Sequence, residues 1–321
     1  MNPRSDETEF DGELFDFQVN GFAGVDFQQP SLPHADLLRA VRALRQHGAG
    51  RFFLTLITDD IDALRRKLEG IERHCARDKE CRDAVVGYHL EGPWLNAEDG
   101  FRGAHRAAPM RAPKVADFAA LQSAAQGRIK LVTLAPERPG SDEMISHLSG
   151  AGIHVALGHT NASETEIDMA IACGARFCTH LGNGTPQVLP RHDNVIQRLL
   201  ARDELIACLI PDGTHLPPYV LKNFVRAKPA GRVLFTTDVM AAGAASAGSY
   251  SICGTRVEVG VDGVARLPGG GFAGSTLTPA EGVRRTACYL GISLNESRRI
   301  WSEAACQAFG VDAESAAKRR T

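Results

Sequence analysis

No two of the eight cysteines, at positions 75, 81, 173, 178, 208, 253, 288 and 306, form a Cys-x-x-Cys pair. That speaks against a structural zinc of the Cys₄ kind. Thiols scattered through apolar runs, such as Cys178 in Arg-Phe-Cys-Thr-His, read instead as small core residues of a cytoplasmic chain. No apolar run approaches the ~20 residues of a membrane span. The opening MNPRSDETEFDGE holds no hydrophobic segment of the signal-peptide kind. Neither sign of charge is in excess: 36 Lys and Arg face 38 Asp and Glu, for a formal net charge of −2. Nucleic acid and anionic membrane therefore have no electrostatic footprint here. A small anionic substrate needs only a few local Arg and His residues. No Gly-x-Gly-x-x-Gly run opens a helix, which weighs against an open Rossmann-type sheet.

What is present is alternation. Short apolar runs at 14–19, 52–57, 84–90, 129–134, 153–157, 175–179, 205–210 and 232–237 are each followed by a helical pattern or its equivalent. Leu37, Leu38, Val41 and Leu44 share one helix face, as do Ile61, Leu64, Leu68 and Ile71. The charge run Arg65-Arg66-Lys67 reads as the solvated side of that second helix. Strict strand–helix alternation implies a parallel sheet. Eight such units predict a (β/α)₈ barrel, an α/β fold that runs as one domain over the whole 1–321. A Gly- and Val-rich stretch at 248–272 reads as a small β-hairpin excursion turning at Asp262-Gly263. Helices are expected at 279–290 and 295–309, and a frayed polar tail from Asp312.

In such a barrel the chemistry sits where the strands end. The third run ends in His89-Leu90-Glu91, the fifth in Gly158-His159, the sixth in Thr179-His180 and the eighth in Thr237-Asp238. Glu91, His159 and His180 form a two-histidine, one-carboxylate set, which suits one catalytic zinc with a position open for water. Singly, each has a plainer reading. A strand-end His serves as a hydrogen-bonded structural residue, Glu91 as a loop cap and Asp238 as a helix N-cap. His89 points to the same side as Glu91, in a supporting or a structural role. Trp94 would either floor the site or pack its loop.

The strings VNGFAGVDFQ, YHLEGPWLN with RGAH, VTLAPE, LGHTNAS, THLGNG, PDGTHL, TTDVMAAG and FAGSTLT occur in that order over roughly residues 14–310. As a set they resemble the motifs of N-acetylglucosamine-6-phosphate deacetylases of the amidohydrolase superfamily. The resemblance implies metal ligands Glu91, His159 and His180, with Asp238 as general base and later general acid. It implies that His105 polarises the substrate carbonyl and that His215 contacts the sugar. Asn183, Gly184, Ala273 and Gly274 would line the sugar site. Arg191 would face the phosphate, in this family from the neighbouring subunit of a homodimer.

The chain departs from the family in four places. Gln18 and Asn20 stand where binuclear members have His-x-His, as possible remnants of a second metal position, and no Lys ends the fourth run. Both features favour one metal. Gly182-Asn183-Gly184-Thr185 replaces Phe-Asn-Ala-Met, and Arg191-His192-Asp193-Asn194 replaces Arg-Glu-Pro-Gly. Most of the family's accessory β-sandwich is expected to be missing. The implied reaction is hydrolysis of an N-acetyl amino sugar, with one divalent ion, most simply zinc. Another N-acylated sugar or other amide, and a non-catalytic sugar-binding barrel, remain open.

Overall fold

The structure, a computed structural model, describes residue 10 and residues 13–312. The expected leaderless N-terminus and all but the first residue of the expected frayed tail lie outside the described residues.

Eight strands form one parallel sheet: β1 Leu14–Val19, β2 Ala49–Ile57, β3 Val85–Glu91, β4 Ile129–Leu134, β5 His154–Leu157, β6 Phe177–Cys178, β7 Ile206–Leu209 and β8 Val233–Phe235. They pair in chain order, each parallel to the last. The runs are β-branched and aromatic, and β1 is buried at all six positions, as a sheet covered on both faces requires. The sheet curls until its ends meet. Val239, just past β8, bridges Val19 of β1 in parallel, and the Asn20 amide donates to the Val239 carbonyl at 2.8 Å.

Two cores follow from this curl. The larger packs the helices on the outside, with Leu37, Ala40, Val41 and Leu44 from His34–Gln46 and Leu64, Leu68, Ile71 and Cys75 from Ile61–Arg77. The smaller lies inside. Phe15 and Phe17 of β1, Phe53 of β2, Leu131 of β4, Ala156 of β5, Phe177 of β6, Cys208 of β7 and Leu234 of β8 cluster there, with Val86 of β3 against them. Phe309, from the last helix, plugs this cluster: its ring centroid lies 4.9 Å from those of Phe17 and Phe177 and 5.5 Å from that of Phe53.

Three expectations need correction. Lys67 is not on a solvated face; it is buried, and the carboxylate of Asp59, 2.8 Å from its ammonium, supplies the partner that burial of a charge requires. The excursion is a three-stranded antiparallel sheet, Gly248–Ile252, Thr255–Val259 and Ala265–Arg266. Its tight turn is Cys253-Gly254, and Asp262-Gly263 joins the second strand to the third. The helix expected at 295–309 is continuous but π-wound over Ile300–Ala304. No helix among the described residues is long and apolar enough to cross a membrane.

Candidate active site

Glu91 is the last residue of β3, while His159, His180 and Asp238 lie two or three residues past β5, β6 and β8. The last three share an uncommon backbone: φ is +50° at His159, +30° at His180 and +50° at Asp238. Positive φ in non-glycine residues is sparsely populated, and strain of this kind collects where side-chain aim matters more than comfort. Here the left-handed twist turns each side chain in over the end of the sheet.

There Glu91 Oε1 lies 3.1 Å from His159 Nε2 and 3.0 Å from His180 Nε2, and the two imidazole nitrogens are 3.1 Å apart. All three residues are buried. His159 Nδ1 donates to the Phe101 carbonyl at 2.8 Å, which leaves Nε2 with its lone pair toward the cluster. A single proton between His180 and Glu91 cannot also bridge His159 to both. Three lone-pair atoms at these separations fit a cation at the centre, since a tetrahedral zinc with bonds of about 2.0–2.2 Å sets its ligands only slightly farther apart. His105 adds a fourth group: its Nε2 is 3.8 Å from Glu91 Oε1, and Glu91, His105 and His159 offer atoms within 4.8 Å of one another. Burial pushes the Glu91 carboxyl up, but hydrogen bonds from His105, His159 and His180 outweigh it and hold the group well below the usual carboxylate range. Burial lowers His159 to about 4, keeping it a neutral donor of electrons. Desolvation also pulls at His180, yet the bond and charge of Glu91 leave it raised.

Asp238 faces this cluster. Burial first, and the negative charge of Glu91 second, raise it to about 7. Its Oδ1 accepts from Asn20 Nδ2 at 2.7 Å and from Gln18 Nε2 at 2.9 Å, and Gln18 Nε2 also reaches Glu91 Oε2 at 3.2 Å. Beneath lies His89, fully buried, bonded to Thr133 Oγ1 at 2.7 Å and lowered to about 4 by burial.

A cavity of about 760 Å³ opens above, a size that suits a small ligand. Asn20, Glu91, His105, His159, His180, Asn183, Gly184, His215, Asp238 and Gly274 line it. His105 Nδ1 is held by Thr58 Oγ1 at 2.9 Å, and His215 Nδ1 by Asp212 Oδ2 at 2.6 Å. Two expected contacts lie elsewhere in this chain. Ala273 is buried and Arg191 exposed, and neither lines the cavity. Trp94 is fully buried in the outer core, away from the cavity. Sequence reasoning passed over Arg102, the one Arg or Lys among the described residues that line the cavity. The signal was the RGAH string itself, in which Arg102 stands three residues before His105. Arg102 is tied to Asp99 Oδ1 at 2.8 Å and to the His105 carbonyl at 3.2 Å.

A curled parallel α/β sheet with a buried two-histidine, one-carboxylate cluster at its C-terminal edge defines a protein of the metal-dependent amidohydrolase class. No family model matches the chain. An Escherichia coli N-acetylgalactosamine-6-phosphate deacetylase is 30% identical over 95% of this chain and 80% of its own length. A Bacillus subtilis N-acetylglucosamine-6-phosphate deacetylase is 31% identical over 93% and 74%. Among solved structures, an N-acetyl-D-glucosamine-6-phosphate deacetylase variant from Mycobacterium smegmatis, in complex with N-acetyl-D-glucosamine-6-phosphate, superposes with a TM-score of 0.84 at 28% identity, over 94% of this chain and 77% of that one. The Thermotoga maritima enzyme gives 0.82 at 26%, over 94% and 79%. The chain belongs to the N-acetylglucosamine-6-phosphate deacetylase family.

Proposed function

We propose that this chain is a metal-dependent deacetylase that hydrolyses the N-acetyl group of N-acetylglucosamine 6-phosphate to glucosamine 6-phosphate and acetate. The observation that carries the reading is the convergence of Glu91 Oε1, His159 Nε2 and His180 Nε2 to within 3.0–3.1 Å beside Asp238, in a chain about 30% identical to deacetylases of this name. Those three residues would hold one divalent ion, zinc by the chemistry of the donor set. When bound, such an ion lowers the pKa of water and polarises a carbonyl.

The chain's own groups do the rest. Asp238 takes the proton of the attacking water and returns it to the leaving amine nitrogen. His105, buried at the cavity wall, steadies the negative charge that develops on the acetyl oxygen. Asn183, Gly184, His215 and Gly274 form the sugar side. A 6-phosphate would meet Arg102 from within the chain and Arg191 from a second copy of a homodimer. The curled sheet is read as a (β/α)₈ barrel forming one domain over 1–321, with 248–272 as an excursion, in a cytoplasmic enzyme. The Escherichia coli relative acts, by its name, on the galactosamine epimer, so that substrate is the second reading.

The test is acetate release by zinc-loaded protein from N-acetylglucosamine and N-acetylgalactosamine, each with and without 6-phosphate. Elemental analysis of the same sample should find about one ion per chain. Metal-free protein, or no acetate from any of the four sugars, sinks the reading.

A further inference from the structure

We propose that Gln18 and Asn20 act as positioning residues for Asp238: a clamp of two neutral amides that fixes the carboxylate and leaves its second oxygen for proton transfer. This rests on the deacetylase reading. Both amide nitrogens fall on the same oxygen, Oδ1, at 2.9 and 2.7 Å, and both residues are almost completely buried. Nitrogen faces a carboxylate in each case, so each amide is a donor there, and the donated bonds are of the strong, charge-assisted kind.

The backbone on either side is pinned. The Ser275 amide donates to the Asp238 carbonyl at 2.9 Å, and the Asn20 amide donates to the Val239 carbonyl at 2.8 Å. What remains free in Asp238 is the rotation of its side chain, and the two amides remove it. A general base works only while its oxygen stays within hydrogen-bond reach of the proton it takes. Amides hold it without adding charge. Gln18 also bonds Glu91 Oε2 at 3.2 Å, turning Oε1 toward the histidines, so Gln18 serves two carboxylates. Among its side-chain bonds Asn20 donates only to Asp238, which makes it the clean position to test.

The experiment is a double-mutant cycle on zinc-loaded protein with Asn20→Leu, Asp238→Asn and the pair, assayed on an activated N-trifluoroacetyl amino sugar so that slow variants can be followed. Asn20→Leu should lower kcat by about 10- to 100-fold with KM and metal content within twofold, and should lower it no further in the Asp238→Asn background. Asn20→Ser, too short to reach Asp238, should repeat the pattern if the Leu variant folds poorly. Equal losses in both backgrounds mean a merely structural role and overturn the clamp, as does an unchanged kcat. Loss of metal in Asn20→Leu overturns it in favour of a metal-holding role. The same cycle read as unfolding midpoints should be non-additive, and this arm needs no activity. A wild type that releases neither trifluoroacetate here nor acetate from the N-acetyl sugars sinks the deacetylase reading; additive midpoints sink the clamp alone.

Discussion

Gly184 is the wall against which the imidazole of His159 stands: a Cβ at residue 184 would lie 2.7 Å from Nδ1 of that ring. Gly103 stands on the loop at 99–105, where a Cβ would come within 2.9 Å of the ring's Cε1. Both glycines have positive φ, +62° and +54°. A side chain at residue 184 would therefore have to displace this ring. Gly184→Ala should displace His159 and break its bond to the Phe101 carbonyl. Metal affinity should fall by about 10- to 100-fold, as it does when the partner of a ligating His is lost. Competition with a chelator measures this; unchanged affinity would show that the ring has room to move.

Asp238→Asn keeps the side-chain volume and removes the base. It should leave metal content and substrate affinity near those of the wild type while kcat drops on the order of 10²-fold or more. Near wild-type turnover would remove Asp238 from the reaction.

The same residue sets an acid limit to the rate. Burial and the charge of Glu91 place Asp238 at about 7. A base is active only when deprotonated, so kcat/KM should fall as pH drops through that value. A cation on Glu91 cancels the second cause and moves the midpoint below 7. A pH profile of zinc-loaded enzyme should therefore show one acidic limb, lost in Asp238→Asn. A flat profile down to pH 5 would contradict the assignment.

Phosphate recognition separates Arg102 from Arg191. Arg102 lines the cavity of its own chain and Arg191 does not. Arg102→Gln should reduce kcat/KM for the phosphorylated sugar by about 10- to 100-fold and spare the unphosphorylated one, since a desolvated charge pair is worth a few kcal/mol. Arg191→Ala should do likewise, by roughly 2–4 kcal/mol, only if a second subunit brings it to the cavity. Steady-state kinetics with both sugars, alongside the solution mass, decides. Equal losses on both sugars would take the phosphate out of the proposal.

Phe309 offers a test of the fold apart from the chemistry. Its ring fills the inner core against Phe15, Phe17, Phe53 and Phe177. Phe309→Ala should destabilise the chain by about 3–5 kcal/mol in urea unfolding, the usual cost of emptying a buried aromatic site.

Much of this was legible in the order of residues. The alternation of buried runs and amphipathic helices predicted each strand of the parallel sheet to within a few residues, because burial on both faces writes itself as uninterrupted apolar sequence. The position of Glu91, His159, His180 and Asp238 at run ends was enough to predict them at one edge of the sheet. The solvated reading of Lys67 failed because a helical charge run does not say which member turns inward to a buried carboxylate. The turn at Cys253-Gly254 was passed over for Asp262-Gly263, two short Gly turns in one Gly-rich stretch.

Residue types and their order along the chain thus determined the strand–helix grammar and the inventory of reactive groups, since periodicity and strand ends are local properties. Distances between groups far apart in sequence were decided by the closing of the sheet alone. Gln18 and Asp238 are separated by 220 positions, yet bond at 2.9 Å because β1 and the segment after β8 meet through Val19 and Val239. Whether two amides at the end of β1 would bind a metal, solvent or a carboxylate depends on what the last strand brings beside them, and only the curled sheet fixes that.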